Sequence, residues 1–314
     1  MLYLLHALAA AIAPPLDVVT AQRLAVNLQP SEQKELSGLS VSAAAAMLRD
    51  HGVVHLKGAL PLDVVDGCAE AVTASFERCC DELKERKIRQ LDAFAFAELA
   101  HRSKLRFDMQ LATSATALPD ALMASPPWTP LLHKILGDDC IDLFQGAVIA
   151  QPGAADQQPH MDGGHLYQGT HGYEQAQNPA HCINAFVPLV DVTEESGPTE
   201  FWPGSHVLER AQAAFAGASP SVSLAGQRGD VILFDYRVVH RGRGNVGESS
   251  RPVLYLTYAR SWFRDAQNFP DERLLPDAGS TAASGAAGGF GKSKAKGGAP
   301  TSKAAKSKAK NKRK

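Results

Sequence analysis

The chain has 314 residues, with 32 Lys and Arg against 33 Asp and Glu, and a formal charge of −1. The charges are segregated. Asp277 is the last acid and residues 278–314 hold nine Lys and Arg313, which leaves 22 basic against 33 acidic residues, a net −11, for residues 1–277. A body with that charge excludes a uniformly basic nucleic-acid-binding domain, whereas its apolar fraction of 45% suits a globular protein with a full-sized core.

In chain order, residues 1–13 come first and are apolar (Leu2, Leu4, Leu5, Leu8, Ile12), with Ala11 and Ala13 in an A-x-A pattern. They lack the positive n-region of a secretory signal, so a buried or frayed helix is expected there rather than a cleaved or targeting peptide. No run reaches the roughly 18 apolar residues of a membrane span. The five cysteines (Cys68, Cys79, Cys80, Cys140, Cys182) form no C-x-x-C pair and read as reduced thiols, which favours an intracellular, cytoplasmic protein. The expected organisation is an N-terminal segment over 1–34, a folded body over 35–277 and a tail over 278–314.

A helix is expected to start at Ser40 or Ser42, either of which can cap it, and to run through the alanine run to about Asp50. Gly52 ends it, and residues 53–56 read as a short strand closed by Gly58. From Pro61, the set Val65, Cys68, Val72, Phe76, Cys79 and Leu83 recurs at spacings of three and four, the pattern of an amphipathic helix with Pro61 in its first turn. Cys79 falls on that apolar face and reads as core, not as a reactive thiol. Beyond Gly137, residues 141–150, 182–190, 231–234 and 253–258 are short β-branched and aromatic runs bounded by Gly, Pro, Asp and Asn. They predict a mainly β fold, a sandwich or barrel, with helices packed outside it. The Ala, Gly, Ser and Lys composition after residue 277 predicts disorder.

His160-Met161-Asp162 is the first cluster with chemical content. On a strand, residues two apart share a face, so His160 and Asp162 converge on one point. Two imidazoles and one carboxylate on one face of an octahedral ion leave three positions open. His240, at the end of a turn–strand–connection unit that begins at Gly229-Asp230, supplies a second imidazole. Arg251 follows eleven residues later at the head of a strand, and its guanidinium can bind a carboxylate through two hydrogen bonds.

With Gly197-Pro198-Thr199-Glu200-Phe201-Trp202-Pro203-Gly204-Ser205-His206 between them, these motifs resemble the phytanoyl-CoA dioxygenase family of Fe(II)/2-oxoglutarate-dependent oxygenases, over about residues 35–265. The resemblance implies a double-stranded β-helix (jelly-roll, cupin-like) core with outer helices. It implies that His160, Asp162 and His240 ligate Fe(II), that Arg251 holds the distal carboxylate of 2-oxoglutarate, and that O₂ is the oxidant. Succinate and CO₂ would be released as a small-molecule or lipid-like substrate is hydroxylated. Halogenating relatives replace the carboxylate ligand with a small residue, so Asp162 favours hydroxylation. In similar proteins a hydroxyl residue two positions after the distal His assists the Arg, but here that position is Gly242. Tyr255 and Thr257, on the same strand face as Arg251, are candidates to replace it, with Gln145 a further cosubstrate contact and Phe186 an aromatic wall. His165 and His171 flank the motif and read as loop positions or as the substrate mouth. His206 and Trp202 read as structural. Two other readings stay open: a non-catalytic β-helix binding protein, and an oxygenase acting on a macromolecule recruited by the basic tail. Lysines 292–314 suit a polyanion or an import receptor, or serve only solubility.

Overall fold

The structure is a computed structural model that describes residues 20–111, 118–166, 178–265 and 269–275. Its chain divides into two units, residues 1–276 and 277–314. The expectations for residues 1–13 and for the Lys-rich tail lie outside the described residues, as does His171.

The N-terminal part builds the outer layer. Helix α1 (Gly38–His51) is capped by Ser37, whose side chain accepts from the Ser40 amide, and ends at Gly52 in the left-handed region. Of three nearby serines, the cap is the one just before the first turn. Ser42 instead donates to the Gly38 carbonyl from within the helix. Strand β2 (Val53–Lys57) follows, then helix α2 (Leu62–Glu85), which Pro61 precedes as the N-cap residue. Val65, Cys68, Val72, Cys79 and Leu83 are all buried on its inner face, and burial pushes the Cys79 thiol up to about 12. The folded body starts before residue 35, because strand β1 (Ala25–Asn27) pairs in parallel with β2.

The remaining strands are β3 (Leu99–Ser103), β4 (Arg106–Gln110), β5 (Ile141–Ala150), β6 (Cys182–Pro188), β7 (Thr199–Phe201), β8 (Val222–Leu224), β9 (Val231–Asp235), β10 (His240–Gly242) and β11 (Arg251–Ala259). Short helices α3 (Asp120–Met123) and α4 (Thr129–Leu136) precede β5, and α5 (Leu208–Phe215) follows β7. An eight-stranded sheet runs β1-β2-β9-β6-β11-β5-β4-β3, and a three-stranded sheet runs β10-β7-β8. This is the jelly-roll arrangement that the sequence predicts. Among the described residues, no helix is long and apolar enough to cross a membrane.

Register decides which side chains meet. Arg106 and Arg251 both pair with Ala150, from opposite sides of β5. Asp108 pairs with Val148, and Val148 with Val253. Tyr255 pairs with both Gly146 and Phe186, and Thr257 with Asn184. Directly paired residues share a face, so these groups form one inner face of the large sheet. The intervening residues, Phe107, Met109, Ala147, Ile149, Leu254 and Leu256, join α1, α2 and α4 in the main apolar core. Gln145 pairs with Leu256 and so belongs to that outer face. Its assignment as a cosubstrate contact is therefore corrected: the alternation of the strand turns it away from Arg251.

Candidate metal and cosubstrate site

His160 and His240 are joined by an isolated antiparallel bridge, with amide-to-carbonyl distances of 2.9 and 2.8 Å. The bridge, rather than a regular strand, brings the first motif to the second, and Asp162 follows in a bend. The Asp162 Oδ1 lies 3.8 Å from Nε2 of His160 and 3.6 Å from Nε2 of His240. One ligand atom from each of the three residues falls within 4.8 Å of the others.

The tautomers suit a metal. Nδ1 of His160 lies 2.9 Å from the Gln158 carbonyl, and Nδ1 of His240 lies 3.0 Å from the Val238 carbonyl. A carbonyl only accepts, so each Nδ1 carries the proton and each Nε2 turns a lone pair toward Asp162. Burial holds the His240 imidazole below its ordinary pKa, in the neutral form a ligand requires. The Pro203–His206 turn fixes the strand beside it. The Ser205 hydroxyl accepts from the Val239 amide at 2.8 Å, and His206 Nε2 lies 3.0 Å from the Arg49 carbonyl. Trp202 is buried in a small apolar cluster with Val239.

The triad opens on a cavity of about 640 Å³ that also receives Arg251, Arg106, Asp108, Phe186, Tyr255 and Thr257. Arg251 is 2% exposed, and its Nε and Nη2 have no hydrogen-bond partner among the described residues. Burial, with the Arg106 charge beside it, pulls its pKa down to about 9, still charged at neutral pH. Arg106 is fully buried as well. One of its Nη groups donates to the carbonyls of Ala155 and Arg243, at 3.0 and 2.8 Å, while its Nε and Nη1 are unpartnered among the described residues. Burial lowers its pKa to about 10. Two buried cations with unsatisfied N–H groups are costly unless an anion completes them.

Gly242 explains how Arg106 gets there. A Cβ at this position would sit 2.6 Å from Nη1 of Arg106 and 2.7 Å from Oε1 of Gln157. The guanidinium thus fills the space that a side chain at 242 would take. Arg106 is far from Arg251 in the chain and carries no motif, so its place beside Gly242 could not be read from the sequence.

Tyr255 and Thr257 reach the cavity, yet neither hydroxyl is directed to Arg251. The Tyr255 hydroxyl donates to Asp108 at 3.0 Å, and Thr257 donates to the Asn184 amide oxygen at 2.5 Å. The Tyr255 phenol sits against Gly146, where a Cβ would approach the phenol oxygen to 2.3 Å. Asp108 also pairs with Arg102 at 2.9 Å, and burial raises its carboxyl above the usual range. Phe186 stands edge-on to His240, with ring centroids 6.4 Å apart. His165 does not line the cavity. His181 is buried against Phe263, and burial pulls its pKa down to about 4.

Comparison with known proteins agrees with this geometry. The family model for phytanoyl-CoA dioxygenase (PhyH) matches residues 48–253, more than half of the chain. Dioxygenase trt7 of Aspergillus terreus is 27% identical over 219 residues, covering 69% of this chain and 72% of its own. Among solved structures, AviO1 from Streptomyces viridochromogenes Tue57 superposes with a TM-score of 0.53 at 20% identity, over 74% of this chain and all of that one. The non-heme alpha ketoglutarate dependent epimerase SnoN from nogalamycin biosynthesis gives 0.52 at 20% identity, over 73% and 85%. Both share the fold. The chain belongs to the phytanoyl-CoA dioxygenase family and is a dioxygenase that uses iron, 2-oxoglutarate and O₂.

Proposed function

We propose that the protein hydroxylates a small, largely apolar organic molecule, with succinate and CO₂ as co-products, and that His160, Asp162 and His240 hold Fe(II). The observation that carries this reading is the pair of buried, partly unpartnered guanidiniums, Arg251 and Arg106, in the same cavity as three converging metal-ligating atoms. Iron and 2-oxoglutarate supply the oxidising chemistry when bound, and the chain's residues do the rest. Arg251 and Arg106 together hold the distal carboxylate of 2-oxoglutarate, with Arg106 in the role that a hydroxyl at 242 would fill. Each then gains the acceptor it lacks. Phe186 and Val253 wall the space between the metal and Arg251 against water, and Phe144, Val148, Met161 and Phe269 offer the substrate an apolar surface. Retention of Asp162 supports hydroxylation over halogenation.

The neighbour SnoN, named an epimerase, shows why product mass matters. Under anaerobic loading, wild type binds Fe(II) and 2-oxoglutarate. His160→Ala loses the metal, and Arg251→Met keeps it but loses the cosubstrate. Oxygen is then admitted with candidate substrates, and products are read by mass spectrometry for a gain of one oxygen atom. A wild-type protein that binds neither Fe(II) nor 2-oxoglutarate would end this reading, and product of unchanged mass would move it to epimerisation.

The oxygenase body, expected over 35–277, is extended back to include strand β1 (Ala25–Asn27), and 278–314 is assigned as a basic tail. The tail is assigned to location or recruitment through polyanion or import-receptor contacts, within the cell. Deleting 278–314 and comparing localisation and salt-dependent polyanion binding tests this.

A further inference from the structure

Asn184 lies on β6, buried at 4% exposure, and its side chain makes two hydrogen bonds in opposite directions. Its Nδ2 donates to Oδ2 of Asp162 at 2.6 Å, and its Oδ1 accepts from the Thr257 hydroxyl at 2.5 Å, across the β6–β11 pair. The orientation is forced. A carboxylate does not donate, so the amide nitrogen must face Asp162, and the hydroxyl hydrogen of Thr257 is then directed to the amide oxygen. With Oδ2 engaged, Oδ1 is the oxygen of Asp162 that faces both imidazole Nε2 atoms, at 3.8 and 3.6 Å.

We propose that Asn184, locked by Thr257, is a positioning residue that keeps Asp162 a one-oxygen ligand. The proposal rests on reading the triad as an Fe(II) site. An ion held by two imidazoles and one carboxylate oxygen would keep three positions open for cosubstrate and oxidant. A carboxylate that swings to bind through both oxygens takes a fourth position and leaves two, so cosubstrate and oxidant no longer fit together. The Asn184 bond is charge-assisted and its donor side chain is buried, which favours holding the carboxylate in one rotamer. Thr257 contributes by anchoring the amide oxygen through its hydroxyl, which holds the side chain in the rotamer that reaches Asp162.

Two near-isosteric variants test this without 2-oxoglutarate present. Asn184→Leu removes the donor, and Thr257→Val removes the lock while leaving the donor in place. Fe(II) affinity is measured by anaerobic competition with a chelator, and the coordination of Co(II) is read from its visible absorption. The melting temperature of the metal-free protein reports folding. Asn184→Leu is expected to lower Fe(II) affinity about 10–100-fold and to alter the Co(II) bands. Thr257→Val is expected to alter the same bands with a smaller loss of affinity, and Thr257→Ser to restore them. Wild-type affinity together with a wild-type Co(II) spectrum in Asn184→Leu and Thr257→Val overturns the proposal, provided His160→Ala still loses iron. If His160→Ala retains wild-type iron binding, the metal reading itself has failed. If Asn184→Leu does not fold, the Thr257 pair decides by the same spectra.

Discussion

Both faces of the eight-stranded sheet hold buried residues, but of different chemistry. Leu254 is completely buried and Arg251, three residues earlier on the same strand, is 2% exposed. Leu254 and Leu256 pack into the helix-covered core with Phe107, Ile149 and Ala147. Arg251, Tyr255 and Thr257 turn the other way, toward the metal-ligating groups. Burial alone therefore does not distinguish a core leucine from an arginine that lines the cavity. Polar demand does differ: the inner face keeps N–H groups of Arg251 and Arg106 waiting for a partner, whereas Leu254 and Leu256 have no polar side-chain group to satisfy. A strand's two-residue period lets a single segment serve both purposes, and a one-residue slip of β11 would exchange them.

That contrast can be broken most forcefully at Leu254. Leu254→Ala is expected to cost about 2–5 kcal/mol of stability through the cavity it leaves, with Fe(II) affinity unchanged in the protein that remains folded. Urea denaturation and anaerobic metal titration measure the two sides. Loss of metal binding in the folded variant would show that the faces are coupled. Arg251→Met should do the reverse. It weakens 2-oxoglutarate binding by about 100-fold, roughly 2.7 kcal/mol, without lowering the melting temperature, because an uncompensated buried charge leaves with it. A clear drop in melting temperature would mean that Arg251 also supports the fold. For Arg106→Met the expected loss of cosubstrate affinity is smaller, about tenfold, since Arg251 remains; an unchanged affinity would leave Arg251 without this second donor.

The acid response sharpens the same contrast at a third location. His181 takes up a proton near 6.5 at the ordinary histidine value but near 4 in the native protein, because burial disfavours the charge. The unfolded chain therefore binds protons first as pH falls. Stability is fully present above about 6.5, is lost progressively down to about 4, and stops changing below that for this group. His181→Phe should flatten that part of the slope in urea midpoints measured across pH 4–7. An unchanged slope assigns the acid sensitivity to other buried histidines such as His206, whose pKa burial also lowers.

The sequence makes the triad legible because metal ligation restricts the residue types, and because turn and strand signals surround each one. Strands β5, β6, β9 and β11 are legible through their apolar runs, each to within about two residues. Strand β4 is not. It alternates Arg106, Asp108 and Gln110 with Phe107 and Met109, a pattern that in most proteins marks the polar residues as facing water, whereas here Arg106 and Asp108 face a cavity. Its hairpin with β3 also turns through Leu105 at a positive φ of 59°, without the glycine that would announce it. Gln145 shows the complementary error. Proximity in the chain suggested a cosubstrate contact, but face assignment needs the β5–β11 register, which pairs Ala150 with Arg251 and so sends even-numbered residues of this stretch inward. Tyr255 and Thr257 were placed on the correct face by alternation. Their bonds to Asp108 and Asn184 depend on two other strands and could not be read from one.

Gly146 touches none of the groups proposed to bind metal or cosubstrate, yet it sets the headroom above the sheet. Because no carbon projects from it, the Tyr255 ring rests directly on β5 and reaches across to Asp108. A methyl at 146 would meet the Tyr255 phenol oxygen at 2.3 Å and the Met109 carbonyl of β4 at 2.4 Å, so the ring and the strand that carries Asp108 would both have to shift. One carbon atom at 146 would thus reshape the cavity from beneath, through the Tyr255 ring and strand β4 together.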